Sequence, residues 1–489
     1  MRSLRPLLAC SLAVAVAACG GAPSAKTAGP AVSRVSRADA RESVAVTVYN
    51  DGFGLVREVR DVDLGTGRVS LEFRDVSSQI ESNTVHVKSL AKGHPLTILE
   101  QNYRYDLLSP QKLLQKYEGK TIKLVRWNKV TGKDEEYDAQ VLSVNDNQPV
   151  LKVGNEITYG FPARFAFPEV PNNLIAQPTL VWLLDSEAPK QPIEVTYLTQ
   201  GFAWSADYVL TLGDEATDGS GMSTADLVGW VTLRNDTSTS FENAKLKLVA
   251  GNVQRVRERL TKSAEANEER DDEDNKKQFT EEGFFEYHLY TLDRPTSLLS
   301  NEQKQVTLLE GHGIGVHRQL IFYGASYYYR GSYGQVVSNQ KVGVYLEIKN
   351  EEQNHLGMPL PKGTIRVYKA DKSGTAQFIG EDAIDHTPRD EQIRVKMGDS
   401  FDVVGDRRQT DFKQISDCVD ETTWEISLRN HKDTADEVLV YEPIEGDWEI
   451  LGSSIPYQKK DAHTFTFLAK VGARAETKIT YRVRVRWCS

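Results

Sequence analysis

Apolar and polar residues alternate along most of this chain. The alternation begins with VAVTVYN at Val44 and resumes in LVREVRDVDL and RVSLEF, after turns at Asp51-Gly52 and Gly65-Thr66-Gly67. Successive side chains of a β-strand point to opposite faces of a sheet, so a period of two predicts strands with one buried face. The short glycine-containing turns between these runs predict β-hairpins.

One short stretch follows a helical period instead. In SPQKLLQKYEG, Ser109 to Gly119, the apolar residues Leu113, Leu114 and Tyr117 share one helical face. Four short strand patterns follow it within residues 106–170: KTIKLVRW, EEYDAQVLSV, PVLKVGN and RFAFPEV. Short strands with polar turns between them predict a small SH3-like barrel, inserted between the first hairpins and the later strands.

From residue 178 the alternating runs lengthen, which predicts immunoglobulin-like β-sandwich domains. Residues 255–283 interrupt them with a charged and polar run that cannot bury enough apolar surface to fold, so we expect a disordered insertion. The chain of 489 residues is thus predicted to be all-β and multi-domain, with one short helix. The predicted segments are a signal peptide (1–18), a lipidated flexible tether (19–43), N-terminal β-hairpins (44–105), the small β-barrel (106–170), a first part of the β-sandwich (171–254), the charged insertion (255–283) and a second part of the β-sandwich (284–489).

The stretch GFAWSADYVLTL, Gly201 to Leu212, raises the question of catalysis, because Ser205 and Asp207 lie among large aromatic residues. In a strand, its Phe, Trp, Tyr and Leu side chains all fall on the face of Trp204, and Ser205 and Asp207 fall on the opposite, polar face. A catalytic serine needs a base within hydrogen-bond reach and commonly a sharp turn that presents it. We therefore expect a core strand here and not an active site.

The first eighteen residues, MRSLRPLLACSLAVAVAA, combine Arg2 and Arg5 with an apolar run and contain no acidic residue. This composition predicts a secretory signal peptide. The small residues before Cys19 resemble the bacterial lipobox, which implies that Cys19 becomes a lipidated amino terminus with several acyl chains as a stable anchor. Gly20, in place of an aspartate, implies an outer-membrane lipoprotein that faces the periplasm or the cell surface. In an ordinary signal peptide, Cys19 would instead be an incidental apolar residue.

The charge balance is acidic. The whole chain has a net charge of −10, and loss of Arg2 and Arg5 with the signal peptide leaves 57 basic against 69 acidic residues, a net charge of −12. An acidic protein is poorly suited to bind nucleic acid or an anionic bilayer surface, so no nucleic-acid partner is predicted. Cys418 and Cys488 are the other cysteines of the mature chain, and in an oxidising compartment they could form one disulfide.

A tyrosine-rich stretch could carry a binding site. FYGASYYYRGSYG contains Tyr327, Tyr328, Tyr329 and Tyr333 among serines and glycines, a composition typical of adaptable binding surfaces. These tyrosines are a candidate surface for a glycan or for another envelope protein, because an aromatic ring offers contact area at low entropic cost. The alternative is a hairpin whose tyrosines alternate between the core and water.

Histidines could in principle bind a metal ion. His312 and His317 lie close together in HGIGVH, and His288 lies upstream. Their spacing matches neither the i, i+4 pair of a metalloprotease helix nor a zinc finger, and the glycines among them indicate a turn or loop. No metal and no cofactor is therefore predicted.

Several runs of the chain resemble those of a bacterial family. They include VYNDGFGLVREVRDVDLGTGRVSLEF, YLTQGFAWSADYVL, LVGWVTLRNDTSTSFENAKLKLVAGNV and the closing part from PLPKGTIRVYK to KITYRVRVRW. Together they resemble the domain of unknown function 4139 family, which is similar to mucoidy inhibitor A-like proteins. Those proteins often carry a helical front half, whereas this chain has hairpins and a small barrel there. The resemblance implies no catalytic residues.

These patterns lead to an expected function. We expect an outer-membrane-anchored envelope lipoprotein that acts as a binding or scaffolding module, with the membrane as partner through the lipid on Cys19. A further partner would be another envelope protein or a glycan. The alternative is an envelope hydrolase acting on glycan or peptide. A hydrolase needs a nucleophile or paired carboxylates converging in a pocket, and no motif in the chain requires one.

Overall fold

The computed structural model describes residues 31–145, 148–171, 173–216, 220–251, 253–255 and 279–488. Within them the chain forms β-strands in four sheets, with one α-helix and four short 3-10 helices. The predicted all-β, multi-domain, sandwich-like architecture is thereby confirmed.

The strands fall into three groups along the chain. The strands before the small module are β1 (Val32–Ser36), β2 (Arg41–Tyr49), β3 (Phe53–Asp63), β4 (Gly67–Arg74), β5 (His86–Ser89) and β6 (Thr97–Arg104). The small module comprises α1 (Pro110–Lys116), β7 (Thr121–Asn128), β8 (Lys133–Asn145), β9 (Gln148–Val153), β10 (Glu156–Tyr159) and β11 (Arg164–Ala166). The later strands are β12 (Thr179–Ser186), β13 (Lys190–Gln200), β14 (Phe202–Glu215), β15 (Met222–Asn235), β16 (Phe241–Ala250), β17 (Phe279–Phe284), β18 (Tyr287–Leu292), β19 (Thr296–Leu298), β20 (Glu302–Tyr323), β21 (Gln335–Lys349), β22 (Gly363–Ala370), β23 (Ala376–Ile384), β24 (Gln392–Ser416), β25 (Val419–Asn430), β26 (Asp436–Pro443), β27 (Asp447–Ser453), β28 (Tyr457–Asp461), β29 (Thr464–Val471) and β30 (Glu476–Arg486). The 3-10 helices are Ala38–Ala40, Ser82–Thr84, Ser326–Arg330 and Glu352–Asn354.

Three sheets contribute to the first hydrophobic core. They are a four-stranded sheet, in the order β1-β4-β12-β6, an eight-stranded sheet, in the order β17-β18-β16-β2-β3-β13-β5 with β19 beside β16, and the first part of a thirteen-stranded sheet. Trp182, Tyr197 and Tyr208 come one from each sheet, and all three are fully buried in this core. The residues predicted as N-terminal hairpins, 44–105, therefore share one core with residues 171–254.

The predicted tether, residues 19–43, is wrong in its last part. Strand β1 pairs in parallel with β4, and β2 begins at Arg41. The backbone of β1 pairs with β4 from Val32 to Ser36, and Arg60 Nη1 also donates a hydrogen bond to the carbonyl of Ser36, at 3.3 Å, which ties the end of β1 to the core. The local composition of residues 19–43 does not predict this contact, because Arg60 lies 24 residues after Ser36 in the sequence.

The predicted insertion, residues 255–283, also ends earlier than expected. Phe279 starts strand β17 and is buried in the first core. Phe285, with a left-handed φ of 60°, lies in the turn between β17 and β18, which pair as an antiparallel hairpin. Residues 256–278 lie outside the described residues.

The small module lies between β6 and β12, which pair with each other. Its helix is as predicted, with the Ser109 hydroxyl accepting a hydrogen bond from the backbone N–H of Lys112 and Pro110 at the first position. Its sheet has the order β10-β9-β8-β7-β11. Among the described residues the edge strands β10 and β11 do not pair, so the barrel predicted for residues 106–170 is not closed. The two edge strands are short, with four and three residues, and in the described part of the chain β10 pairs with β9 and β11 with β7.

The second core is formed by the C-terminal strands, and long strands join it to the first. Strands β20, β21 and β24 have 22, 15 and 25 residues and run through both cores. Strand β20, for example, places Val316 in the first core and Leu320 in the second. Between these two residues, the Arg318 guanidinium donates hydrogen bonds to Glu215 of β14 and to Asp436 of β26, each at 2.6 Å. The two cores are thus joined by continuous hydrogen-bonded sheet and by a charge cluster at their junction.

Candidate binding surface at the end of the C-terminal sandwich

The structure answers the question raised by GFAWSADYVLTL. Trp204 is buried in the first core, and Ser205 is exposed on the opposite face of β14. Asp207 accepts a hydrogen bond from Arg366 at 2.9 Å and one from the Thr232 hydroxyl at 3.3 Å. The expected core strand is therefore confirmed, and Asp207 forms an ion pair with Arg366 of the neighbouring strand β22.

The histidines of HGIGVH lie apart in separate contacts. His312 approaches Asp226 at 3.4 Å and His317 approaches Glu347 at 3.6 Å, both near the surface. His288 Nδ1 is 2.8 Å from Glu281 on the neighbouring strand. The described residues contain no group of three or more His, Cys, Asp or Glu side chains placed to hold a metal ion.

Another histidine, His386, holds the loop before β22. Its Nδ1 accepts a hydrogen bond from the backbone N–H of Lys362 at 3.2 Å, while its Nε2 is buried without a partner among the described residues. Burial lowers the pKa of His386, and the positive charge of Lys362 adds to this effect. An imidazole that accepts a hydrogen bond through Nδ1 must be neutral. The loop geometry thus depends on a deprotonated histidine.

The tyrosine-rich stretch forms a 3-10 helix, Ser326–Arg330, and not an alternating hairpin. A 3-10 helix has three residues per turn, so side chains at i and i+3 point the same way. Tyr327 and Arg330 accordingly share the exposed side, with Tyr327 56% exposed. Tyr328 and Tyr329 point inward and are 6% and 0% exposed. Their assignment to the binding surface is therefore wrong: they anchor the turn in the second core.

The inward tyrosines rest on a buried charge pair. Arg407 Nη1 donates to Glu442 Oε1 at 2.6 Å, and the Tyr329 hydroxyl donates to Glu442 Oε2 at 2.8 Å. Tyr329 also shares a hydrogen bond of 2.9 Å with the Tyr481 hydroxyl, and burial raises its pKa well above the ordinary value. The Arg407 guanidinium lies 5.2 Å from the centre of the Tyr328 ring. Glu442 thus links both a buried cation and the tyrosine turn.

A buried glutamine holds the rest of the tyrosine loop. Gln409 is 6% exposed, and its side-chain oxygen accepts a hydrogen bond from the backbone N–H of Tyr333. Its side-chain N–H group donates to the carbonyl of Gly331 at 2.9 Å and to the Thr422 hydroxyl at 2.8 Å. Tyr333, 39% exposed, is held with its ring centre 6.5 Å from that of Tyr327 at an interplanar angle of 72°. The two rings therefore form a fixed corner at the surface.

Arg330 of the same turn completes the surface together with Glu445 and Trp487 from later in the chain. Arg330 pairs with Glu445, and its guanidinium lies 5.2 Å from the centre of the Trp487 ring. The Ser326 hydroxyl donates to Glu445 at 3.0 Å, and this bond, together with Arg330, lowers the pKa of Glu445. We call the set Tyr327, Arg330, Tyr333, Glu445 and Trp487 the aromatic platform.

The two cysteines lie beside this platform. A disulfide joins Cys418 and Cys488 in the structure, with their Cα atoms 5.6 Å apart and a sequence separation of 70 residues. The backbone N–H of Trp487 donates to the carbonyl of Cys418 at 2.8 Å, and the Trp487 indole N–H donates to Asp420 at 2.8 Å. The last strand and the start of β25 are therefore tied together where Trp487 meets Arg330.

The sequence patterns did not identify three residues of the aromatic platform. Glu445 and Trp487 lie more than 110 residues beyond the tyrosine loop, and no local period connects them to it. Arg330 directly follows the three tyrosines, and its charge at the end of an aromatic run is a local signal that could have found it.

Cys19, the predicted lipidation site, lies outside the described residues. In the part of the chain that is described, no helix has the length and apolar character required to span a membrane. Scans against protein-family models and against curated proteins find no match to this chain.

Proposed function

We propose that this protein is an outer-membrane-anchored envelope lipoprotein that acts as a binding or scaffolding module, attached through Cys19 and related to the domain of unknown function 4139 family. Its binding surface in this proposal is the aromatic platform at the far end of the second core. The observation that carries the proposal is the exposure of Tyr327 and Tyr333 on a turn that is fixed from below by buried groups.

The fixed geometry of the platform supports binding because folding has already ordered the loop, so a ligand does not have to order it. A flexible loop loses conformational freedom when a ligand orders it, and a preorganised surface avoids that loss. Here Tyr328 and Tyr329 occupy the core, and Gln409 holds the Tyr333 backbone. The long strands β20, β21 and β24 support the scaffolding part of the proposal, since they would keep the platform at a constant distance from the first core.

Membrane attachment is tested with a Cys19→Ala variant in cells. The protein should move from the membrane pellet to the soluble fraction, because the acyl chains are its proposed anchor. Ser3→Ala, inside the signal peptide but away from the lipobox, is the matched control and should stay in the pellet. Continued pelleting of Cys19→Ala after a high-salt wash would contradict the lipoprotein assignment.

The binding surface is tested by placing a photo-crosslinking amino acid at single positions in living cells. Position 327 should give a discrete, reproducible crosslinked species. Position 159 is the matched control, because Tyr159 is also an exposed tyrosine, 74% exposed, but lies on the small module. Equal crosslinking from positions 327 and 159, or none from either, would contradict the platform as the binding surface.

A further inference from the structure

We infer that the aromatic platform binds an uncharged saccharide. This inference rests on the proposed function, and it adds the chemical class of the ligand. The other occupant that an exposed aromatic surface could take is a protein. Area, charge and ring geometry decide between the two.

By themselves, the exposed rings of the platform offer much less area than a stable protein interface buries. A large aromatic side chain offers about 200 Å², so exposed fractions of 56% for Tyr327 and 39% for Tyr333 amount to roughly 190 Å². Trp487 is only partly exposed and adds less. A standard protein interface buries about 800 Å² on each partner. The platform therefore matches a small ligand in contact area.

The charges of the platform favour a neutral ligand. Arg330 and Glu445 neutralise each other directly, and both remain partly exposed beside the rings. The lowered pKa of Glu445 agrees with a carboxylate that stays ionised within the pair. A phosphorylated or uronic acid ligand would have to compete with Glu445 for Arg330. An uncharged ligand can use the same guanidinium N–H groups and carboxylate oxygen as hydrogen-bond partners at the edge of the pair.

The ring geometry suits a sugar ring. The C–H bonds on the face of a pyranose carry partial positive charge, and the face of an aromatic ring is negative, so the two attract each other. Tyr327 and Tyr333 meet at 72° with 6.5 Å between ring centres, so one sugar can contact the face of one ring and the edge of the other. Two consecutive coplanar sugars cannot stack on both rings. We therefore expect affinity to depend little on chain length beyond a short oligosaccharide.

The test measures binding of defined oligosaccharides to the full-length lipidated protein in a detergent without a sugar headgroup. The uncharged probes are maltotriose, cellotriose and triacetylchitotriose, and trigalacturonic acid is the charged probe. At least one uncharged probe should bind saturably with a dissociation constant near 1 mM or below. Raising the salt concentration should leave this affinity unchanged, because no net charge is involved.

The double variant Tyr327→Ala/Tyr333→Ala should bind at least about tenfold more weakly, while Tyr159→Ala on the small module should bind like the native protein. Thermal melts of each variant show that the fold is retained, as expected for exposed side chains. Absence of saturable binding of all three uncharged probes at about 20 mM, or equal affinity of the double variant, would overturn the inference. If position 327 still crosslinks a protein specifically, the proposed function survives that outcome; if it crosslinks nothing, both fail.

Discussion

The buried pair of Arg407 and Glu442 under the tyrosine turn gives the sharpest prediction of stability. Glu442→Gln keeps the shape of the side chain and removes its charge. The N–O distance of 2.6 Å places the two charge centres about 4 Å apart, and at an effective dielectric constant of about 20 their attraction is worth about 4 kcal/mol. Experience with buried pairs agrees, because removal of one partner typically costs about 3 to 5 kcal/mol by leaving an uncompensated charge. We expect a loss in that range for Glu442→Gln.

A matched exposed pair provides the control. Arg408 and Glu425 lie 3.0 Å apart next to the buried pair, but the arginine side chain is 54% exposed, so Glu425→Gln should cost less than about 1 kcal/mol. The assay is denaturant unfolding, with hydrogen exchange of β25 amides to assign the transition of the second core. Arg407→Met/Glu442→Met should recover most of the loss, since no charge is then stranded. Equal costs for Glu442→Gln and Glu425→Gln would refute the reasoning.

Three further predictions concern the core strand, the disulfide and pH. Trp204→Ala should cost about 3 to 5 kcal/mol and Ser205→Ala less than about 0.5 kcal/mol in denaturant melts; a large loss at Ser205 would contradict a purely structural strand. Cys418 and Cys488 should be bonded in the exported protein, a closure worth about 4 kcal/mol on the chain-entropy model, and two readily alkylated thiols in unreduced mass spectrometry would contradict the bond. Because the pKa of His386 is lowered in the folded state, the unfolded chain takes up a proton first as the pH falls below 6.5, so stability should decline from there towards the lowered pKa. His386→Asn should reduce that decline in thermal melts, and an unchanged slope would count against the role of this histidine.

Much of the fold could be predicted because a strand with one buried face shows alternating apolar and polar residues in its own sequence. The alternation around Trp204 and Ser205 identified both the strand and its buried face. The sequence of a strand does not show which strand it pairs with. Strand β14, for example, pairs in parallel with β22, with Ala206 opposite Gly363, more than 150 residues away. The same holds for β1, which pairs in parallel with β4, Val32 opposite Val69, and accepts a hydrogen bond from buried Arg60. Local composition therefore predicts strands well and their neighbours poorly.

The candidate site shows the same division. A tyrosine-rich run indicated a surface, but strand parity could not tell which rings face water, because a 3-10 turn replaces alternation with a repeat of three. That repeat puts Tyr328 and Tyr329 inside together, and it puts Tyr327 and Arg330 outside together. Glu445 joins them through an ion pair that only the folded sandwich brings together.

The turn also separates what the fold needs from what a ligand can use. Tyr328 and Tyr329 fill the second core, so their loss would damage the structure whatever the ligand. Tyr327 projects from the same turn and is 56% exposed, and removal of an exposed side chain usually changes stability by less than about 0.5 kcal/mol. Its ring cannot turn inward, because its two neighbours already occupy the interior. An aromatic ring that the fold holds outward but does not require for stability is available for binding.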